Sequence, residues 1–298
     1  MGFDSWTSLE GAQDFCVSVA GANDEVVAQM VAWGVVAGVR FRLHGPKNTI
    51  ESELGMNLSH HSLVQIMDTS EDEEGVCLRA AKDCQEGRSQ VLMKGQVSTA
   101  AFTRGILNKD SGLTPSGHLL SHLALFEKAS NGDGVFLTDA AINIAPDVEA
   151  KKRILTNALD ALQALGVQTP RVAFLAPMEK VTAKISSSIH AHQLSLAASQ
   201  GEWGDVHGDG PMALDVALSE DAARMKGAQG KVAGQADLLL APALDAGNMI
   251  YKALVTGAQW RNAGVLLGAS VPVVLTSRSD HEEAKKASLG LALHLAKH

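Results

Sequence analysis

The pair Ser277-Arg278, near the end of the 298-residue chain, has the side chains of an anion site. It follows an apolar run over residues 271–276, which predicts a buried strand, and it precedes a helical pattern over residues 280–296. A helix N-terminus offers backbone N–H groups to an anion, and this pair would add a hydroxyl and a bidentate guanidinium. The alternative is that Arg278 pairs with an acidic residue of the loop. The order of these residues favours a phosphate site at the end of the strand.

The start of the last helix carries a separate local signal. Ser279 and Glu282 match the S-x-x-E capping box, which predicts that Ser279 caps the helix. The cap does not account for Arg278, because the positive end of the helix dipole disfavours a cation there. An anion bound just before the cap would resolve this conflict.

A second anion-binding pattern occurs at Lys94-Gly95. Residues 90–93 predict a strand, and Ser98-Thr99 predicts the start of the next helix. A strand that passes through a glycine turn into a helix presents backbone N–H groups to an anion, and Lys94 adds a positive charge. The alternative is a simple strand–helix turn with a solvated lysine and a serine cap.

The elements that would position these residues follow an α/β pattern. Aromatic residues make up only 4% of the chain while small aliphatic residues are abundant, which favours helices packed on parallel strands. We expect Asn23 to start the first long helix and Gly38 to end it. Strand and helix patterns alternate over residues 15–20 and 23–37, 39–43 and 47–54, then 63–67 and 72–84. This alternation predicts a doubly wound α/β unit.

The pattern changes after residue 118. Two strand patterns, at residues 122–126 and 134–138, flank a turn-like segment and predict a hairpin. A long amphipathic helix is predicted over residues 147–165, and further strands and helices continue to about residue 267. We therefore expect a domain boundary near residue 110 and a second α/β unit that runs to about residue 267.

Composition excludes several classes of function. The net charge of −8 disfavours attraction to nucleic acid or to anionic membranes. The first cationic side chain is Arg40, so the N-terminus does not resemble a secretory signal, and we expect a cytoplasmic protein without a transmembrane helix.

Cys16, Cys77 and Cys84 are expected to be buried, reduced thiols. The eleven histidines form no H-E-x-x-H motif, so no metal site is predicted.

Six segments together give the chain a resemblance to a known family. They are K-G at 94–95, N-I-A-P-D at 143–147, G-P-M-A-L-D at 210–215, V-A-G-Q-A-D at 232–237, A-G-N-M-I-Y-K at 246–252 and V-L-T-S-R at 274–278. This combination resembles the phosphate acetyl/butyryltransferases, weakly before residue 90 and strongly after residue 205. The Lys94-Gly95 turn and the short first domain are similar to the butyryl-type branch.

The resemblance implies a fold and an assembly. It implies two three-layer αβα domains of the isopropylmalate-dehydrogenase-like kind with a cleft between them. The first domain would comprise residues 1–110 and 268–298, and the second would comprise residues 111–267. The resemblance also implies a homodimer.

The resemblance further implies the chemistry. The reaction would be the reversible transfer of a short acyl group, acetyl or butyryl, between coenzyme A (CoA) and inorganic phosphate, by attack of the CoA thiolate on an acyl phosphate. CoA would be a substrate, and no bound cofactor or metal would be needed because the substrates bring the activated bonds.

Specific residues are assigned by the same resemblance. Ser277 would donate to the carbonyl oxygen in the transition state. The phosphate-binding residues would be Lys94, Gly95, Ser98, Thr99 and Arg278. The residues at the CoA and substrate cleft would be Asp139, Asn143, Asp245 and Asn248. For each of these last four, a turn or cap role is an equally compatible interpretation.

The general base is left open by the sequence. Acetyl-type members carry an aspartate seven residues after the serine, and here that position is Ala284. Glu283 lies beside it and is the third catalytic candidate, with Ser277 and Arg278. Lys94 or an oxygen of bound phosphate could share the task. The alternatives for the whole chain are an NAD-dependent dehydrogenase of the same fold, or a non-catalytic CoA-binding relative.

Overall fold

The computed structural model describes residues 2–69, 72–127, 132–275 and 281–297. Its strands are β1 Cys16–Ala20, β2 Arg40–Gly45, β3 Val64–Asp68, β4 Val91–Lys94, β5 Ser121–Glu127, β6 Gly134–Thr138, β7 Arg171–Leu175, β8 His207–Met212, β9 Leu238–Leu240, β10 Asn262–Leu267 and β11 Val273–Val274. Its helices are α1 Phe3–Thr7, α2 Glu25–Val36, α3 Lys47–Ser59, α4 Glu73–Gln85, α5 Thr99–Leu107, α6 Val148–Ala164, α7 Ser186–Ser199, α8 Leu214–Leu218, α9 Glu220–Met225, α10 Leu244–Lys252 and α11 Glu282–Leu295. A π-helical turn, Ala253–Gly257, follows α10. The α/β class predicted from the sequence is confirmed.

The chain divides into two compact units. The terminal unit comprises Asp4–Leu120 and Ala263–His298, and the central unit comprises Met1–Phe3 and Ser121–Asn262. The boundaries expected from the sequence, near residues 110 and 267, differ from these limits by several residues.

The terminal unit contains a mostly parallel sheet. Its strands run in the order β3-β2-β1-β4-β11-β10, and the described pairs are parallel except for β10 with β11. Strands β1, β4 and β11 are buried along their whole length, since helices cover a parallel sheet. The largest fully buried side chains include Phe41, Phe102 and Leu92. Each such side chain contributes about 1.5–3 kcal/mol of burial energy.

The central unit contains the predicted hairpin and a parallel set of strands. Strand β5 pairs antiparallel with β6, while β6, β9, β7 and β8 are parallel neighbours in that order. One apolar cluster fills the unit and includes Phe126, Leu137 and Leu239. Strands β6 and β9 therefore end at the same edge of the sheet, at Thr138 and Leu240.

Five of the described helices, α2, α4, α5, α6 and α9, start with a polar side chain that caps the helix. The Asp147 carboxylate caps α6 by accepting from the Ala150 N–H at 2.7 Å. Helix α2 is capped by Asp24, which accepts from the Val27 N–H, and not by the expected Asn23. Gly38 ends that helix with φ +84°, a conformation that favours glycine.

The start predicted for the last helix, at residue 280 after a Ser279 cap, is wrong, and Ser279 itself lies outside the described residues. Helix α11 begins at Glu282 and its N-cap is His281, which makes no capping hydrogen bond with its side chain. Glu282 is then the first helical residue and not the third, and it forms an ion pair with Lys286 one turn later.

Candidate active site

The two predicted anion segments follow neighbouring strands of the terminal unit. Strands β4 and β11 are parallel, and Met93 lies opposite Val274 in their register. Their carboxyl ends therefore share one edge of the sheet, which is where α/β proteins bind ligands. Ser277 and Arg278 follow β11 in sequence but lie outside the described residues. Their catalytic and phosphate-binding roles stay predictions.

Lys94 ends β4 with a buried side chain. Its ammonium donates to the Gly95 carbonyl at 3.1 Å and to the Val97 carbonyl at 2.9 Å. These two bonds hold the turn that connects β4 to α5. The lysine thus stabilises the turn directly, and its charge remains at the carboxyl edge of the sheet.

Gly95 lies so close to a second turn that no side chain fits. A Cβ atom at this position would be 2.2 Å from the Gly21 carbonyl oxygen. The Gly95 N–H donates to the Ala20 carbonyl at 2.8 Å, and the Gln96 N–H donates to the Gly21 carbonyl at 2.6 Å. The turns after β1 and β4 therefore interlock through their backbones. The Gly95 amide, expected to face phosphate, donates within the protein.

The start of helix α5 is occupied by a carboxylate. The Ser98 hydroxyl caps the helix by accepting from the Ala101 N–H at 3.2 Å. The same hydroxyl donates to Glu73 at 2.8 Å, and the Ser98 N–H points to the same carboxylate oxygen at 3.2 Å. Thr99 is exposed as the first helical residue. An anion that binds at this helix start would have to displace the exposed Glu73 side chain.

Glu283, the acid predicted to lie near the CoA thiol, is at the surface. Glu283 is exposed in the first turn of α11, and Ala284 beside it is buried. Ala284 has no ionisable group, and the two acids of this first turn, Glu282 and Glu283, are both exposed. The role of Glu283 in proton transfer stays a prediction.

The central unit builds its candidate site around Asp139, just after β6. This carboxylate is only 4% exposed and accepts from the N–H groups of Ala141 at 2.8 Å, Ile142 at 3.0 Å and Asn143 at 3.2 Å. It also accepts from the Asn143 side-chain amide at 2.6 Å. The four bonds use both oxygens and fix the loop of residues 139–143. Asp139 thus organises the loop and is poorly suited to remove a proton.

Helix α10 is locked onto this loop. The Asn248 side chain donates to the Ala140 carbonyl at 3.1 Å, and the Leu244 N–H donates to the Ile144 carbonyl at 3.0 Å. A Cβ atom on Gly247 would be 2.3 Å from the Asp139 carbonyl oxygen, so only glycine allows this close approach. Asp245 is exposed in the first turn of the helix. The structure therefore brings Asp139, Asn143 and Asn248 together from distant segments.

Tyr251 and its neighbours were missed as candidates. The Asn262 amide donates to the Tyr251 hydroxyl at 2.8 Å, and the His122 ring meets Tyr251 edge to face with centroids 6.0 Å apart. Helix α10 is thus held at both ends. The tyrosine of A-G-N-M-I-Y-K was an available signal, whereas the positions of His122 and Asn262 depend on strand pairing.

A contact between the buried Lys151 and His190 was also not predicted from the sequence. The Lys151 ammonium donates to the Pro146 carbonyl at 2.9 Å and lies 2.9 Å from His190 Nδ1. Burial lowers the pKa of Lys151 to about 8, and burial together with this ammonium lowers the pKa of His190. Lys151 lies one turn before Ile154 on the buried face of α6, and this position is the only sequence signal for its burial.

The cysteines, possible metal ligands and possible membrane spans can be compared with the expectations from the sequence. Cys16, Cys77 and Cys84 are buried and free, as predicted, and burial raises the pKa of Cys77 to about 12. This shift argues against thiolate catalysis by that residue. Across residues 2–69, 72–127, 132–275 and 281–297, no three metal-ligating side chains converge and no helix is long and apolar enough to span a membrane.

The fold and its candidate sites define an α/β enzyme class. Both units place polar side chains at the carboxyl ends of parallel strands, with a close-packed glycine beside them, Gly95 in the Lys94 turn and Gly247 in helix α10. Residues 56–289 match the family model described as phosphate acetyl/butaryl transferase. This match spans the Lys94 turn, the Asp139 loop, helix α10 and the Ser277-Arg278 pair.

Similar proteins agree with that match. The phosphate butyryltransferase of Clostridium beijerinckii is 38% identical over 94% of this chain and 92% of its own length. The phosphate acetyltransferase of Thermotoga maritima is 34% identical over 93% of each chain. The crystal structure of a branched-chain phosphotransacylase from Enterococcus faecalis superposes with a TM-score of 0.84 at 32% identity, over 95% of this chain and 99% of that one. The chain belongs to the phosphate acetyl/butyryltransferase family.

Family membership settles the class of reaction. The chain is an acyltransferase, as the resemblance in its motifs predicted, and the dehydrogenase alternative is not favoured. The isopropylmalate-dehydrogenase-like α/β fold expected from the sequence is consistent with these structural neighbours.

Proposed function

We propose that this chain transfers a short acyl group, acetyl or butyryl, reversibly between CoA and inorganic phosphate. The observation that carries the proposal is the family match over residues 56–289, which includes every candidate segment of both units. CoA is a substrate in this scheme and the chain needs no bound cofactor. Assembly as a homodimer is part of the same proposal.

Phosphate is held at the carboxyl edge of the terminal sheet. Arg278 binds it with two parallel N–H donors, and the buried Lys94 charge attracts it to the same edge. Ser277 donates to the carbonyl oxygen of the acyl group as negative charge develops there. Ser98 and Thr99 become donors to phosphate once the Glu73 side chain moves away from the start of α5.

In the direction that forms acyl-CoA, the CoA sulfur attacks the carbonyl carbon of the acyl phosphate. The carbon–oxygen bond to phosphate breaks and inorganic phosphate leaves. The thiol proton ends on a phosphate oxygen, so the departing phosphate itself serves as the base. Two features support this assignment: Ala284 stands where acetyl-type members have an acid, and the Asp139 carboxylate is saturated with hydrogen bonds.

The Asp139 loop and helix α10 hold the acyl and CoA portions of the substrates. Ile144 and Met249 expose large apolar side chains beside this loop, at 75% and 70% of their surface. Such surface on a rigid support is suited to the alkyl parts of a ligand. Asp245 and Asn248 provide polar groups on the same helix.

Release of the CoA thiol tests the proposal. Butyryl-CoA and acetyl-CoA are each incubated with the protein, with and without phosphate, and the free thiol is measured with DTNB. We expect release that depends on phosphate for at least one of the two. CoA binding by calorimetry without such release would instead identify a non-catalytic relative.

Arg278→Gln tests the phosphate site itself. The substitution removes the bidentate cation and keeps a polar side chain of similar reach, so the KM for phosphate should rise about tenfold or more. Lys286→Gln removes a cation from an exposed ion pair on α11 and serves as the matched control. An unchanged KM in Arg278→Gln would remove this residue from the site.

A further inference from the structure

A cavity of about 400 Å³ opens in the terminal unit between strands β2 and β3 and helix α4. Its size falls within the range of small-molecule sites. The lining residues that bear on its chemistry are Arg42, Arg79, Lys82, Arg88, His44 and Thr69. The function proposed above uses none of these residues.

One buried carboxylate organises the cationic wall of this cavity. Asp83 binds Arg42 Nε at 2.6 Å, Arg88 Nε at 2.7 Å and His44 Nε2 at 2.9 Å. Burial alone would raise the pKa of Asp83, but these hydrogen bonds hold it well below its usual range. Asp83 is therefore ionised and fixes two guanidinium groups and an imidazole in defined positions.

The cations exceed the carboxylates around the cavity. Four permanently cationic side chains face three carboxylates, which are Asp68, Asp83 and Glu86. This local excess occurs in a chain with a net charge of −8. Lys82, in the last turn of α4, is partly exposed at the cavity wall. The arrangement attracts an anion to this place.

Two buried polar atoms give independent evidence for a ligand. His44 Nδ1 and Thr69 Oγ1 belong to side chains that line the cavity and are at most 5% exposed. Within the described part of the chain, neither atom has a hydrogen-bond partner. A buried polar atom without a partner costs about 1–3 kcal/mol, so a bound group that pairs with these two atoms would recover that energy.

We propose that this cavity binds the phosphoryl group of a small phosphate-bearing molecule, at a site separate from the Ser277-Arg278 pair. A phosphoryl group offers oxygens to the Lys82 ammonium, the Thr69 hydroxyl and the N–H groups of the oriented arginines. Because His44 Nε2–H donates to Asp83, its Nδ1 can accept from a hydroxyl of the phosphoryl group. Free phosphate and a nucleotide phosphate share this chemistry.

Calorimetry in an Arg278→Gln background tests the proposal, because that variant removes the other phosphate site. Inorganic phosphate should still bind to one site per chain. Adding Lys82→Met should weaken this binding about tenfold, the effect of losing one charged hydrogen bond. Lys109→Met, which removes an exposed cation of the same unit, is the matched control and should leave the affinity unchanged.

A second variant and a second probe complete the test. Thr69→Val removes the hydroxyl at nearly constant volume and should also weaken phosphate binding.

Adenosine 3′,5′-bisphosphate replaces phosphate in a parallel titration. Tighter binding that depends on Lys82 assigns the site to a nucleotide, and equal or weaker binding assigns it to free phosphate. Absence of binding, or binding that neither Lys82→Met nor Thr69→Val weakens, overturns the proposal. Since no step measures acyl transfer, failure here leaves the proposed function untouched.

Discussion

The Asp139 loop of the central unit and the Lys94 turn of the terminal unit differ in how their polar groups are held. In the loop, one buried carboxylate accepts four hydrogen bonds, and α10 packs against the backbone with no room for a side chain on Gly247. In the turn, the backbone is equally tight at Gly95, but Ser98 is bound by the exposed Glu73 carboxylate. The loop is thus preorganised, while the start of α5 can exchange one anion for another.

Removal of the Asp139 carboxylate should have the largest effect. Asp139→Ala leaves three backbone N–H groups and the Asn143 side-chain amide without their acceptor, which should lower the free energy of unfolding by about 3 kcal/mol or more. Urea denaturation measures this change, and kcat/KM should fall with it because α10 loses its support. Asp245→Ala, at an exposed position of the same unit, should change stability little. Equal stability of the two variants would contradict the role given to Asp139.

Gly95→Ala should break the backbone interlock in the terminal unit. The added methyl group would lie 2.2 Å from the Gly21 carbonyl oxygen, and backbone atoms cannot move aside cheaply. Overpacking of this kind should destabilise the chain by about 1–3 kcal/mol. Gly257→Ala meets nothing within 4 Å and is the control. A thermal melt of Gly95→Ala that coincides with the control would show that the turns are not interlocked.

Glu73→Gln tests whether the start of α5 accepts phosphate. Without the carboxylate, Ser98 and the helix N-terminus are available to an anion, so the KM for phosphate should fall about twofold to threefold. Glu74→Gln, which breaks an exposed pair with Arg104, controls for the general loss of negative charge. An identical shift in both variants would mean that phosphate does not approach Ser98.

The buried Lys151 should give an effect that is visible only as a pH dependence of stability. Its pKa is about 8 in the folded chain and near its ordinary value when unfolded, so the unfolded chain binds more protons between these values. The free energy of unfolding should therefore rise with pH above about 8 relative to Lys151→Met. Denaturation midpoints of the two proteins between pH 7 and pH 10 measure the difference. A gap that stays constant over this range would show that Lys151 titrates normally.

The sequence predicted the elements better than their polar contacts. Apolar runs and glycines located β1, β4, β6 and α6 closely, because burial of a strand or helix face leaves a local pattern. The start of α11 was wrong because a capping box is a local signal that the tertiary structure overrides. Family motifs led to Asp139, Asn143 and Asn248, and the structure shows the hydrogen bonds that join them.

Two clusters had no usable signal in the sequence. Lys151 and His190 come together only because α6 and α7 pack side by side, and no spacing along the chain encodes that contact. The Asp83 cluster likewise joins strand β2 to the end of α4 across about forty residues. Such contacts depend on packing between elements, which a single sequence does not specify at the level of atoms.

Transfer to phosphate is the central claim, and the fate of isotopically labelled phosphate tests it most directly. Butyryl-CoA is incubated with the protein and phosphate that carries ¹⁸O in all four oxygens, and the product is analysed by ³¹P NMR and mass spectrometry. Attack of phosphate on the acyl carbonyl predicts butyryl phosphate that retains all four labelled oxygens, one of them in the bridge to the acyl group. Formation of butyrate with unchanged inorganic phosphate would contradict the account, because the chain would then be a hydrolase that phosphate only activates.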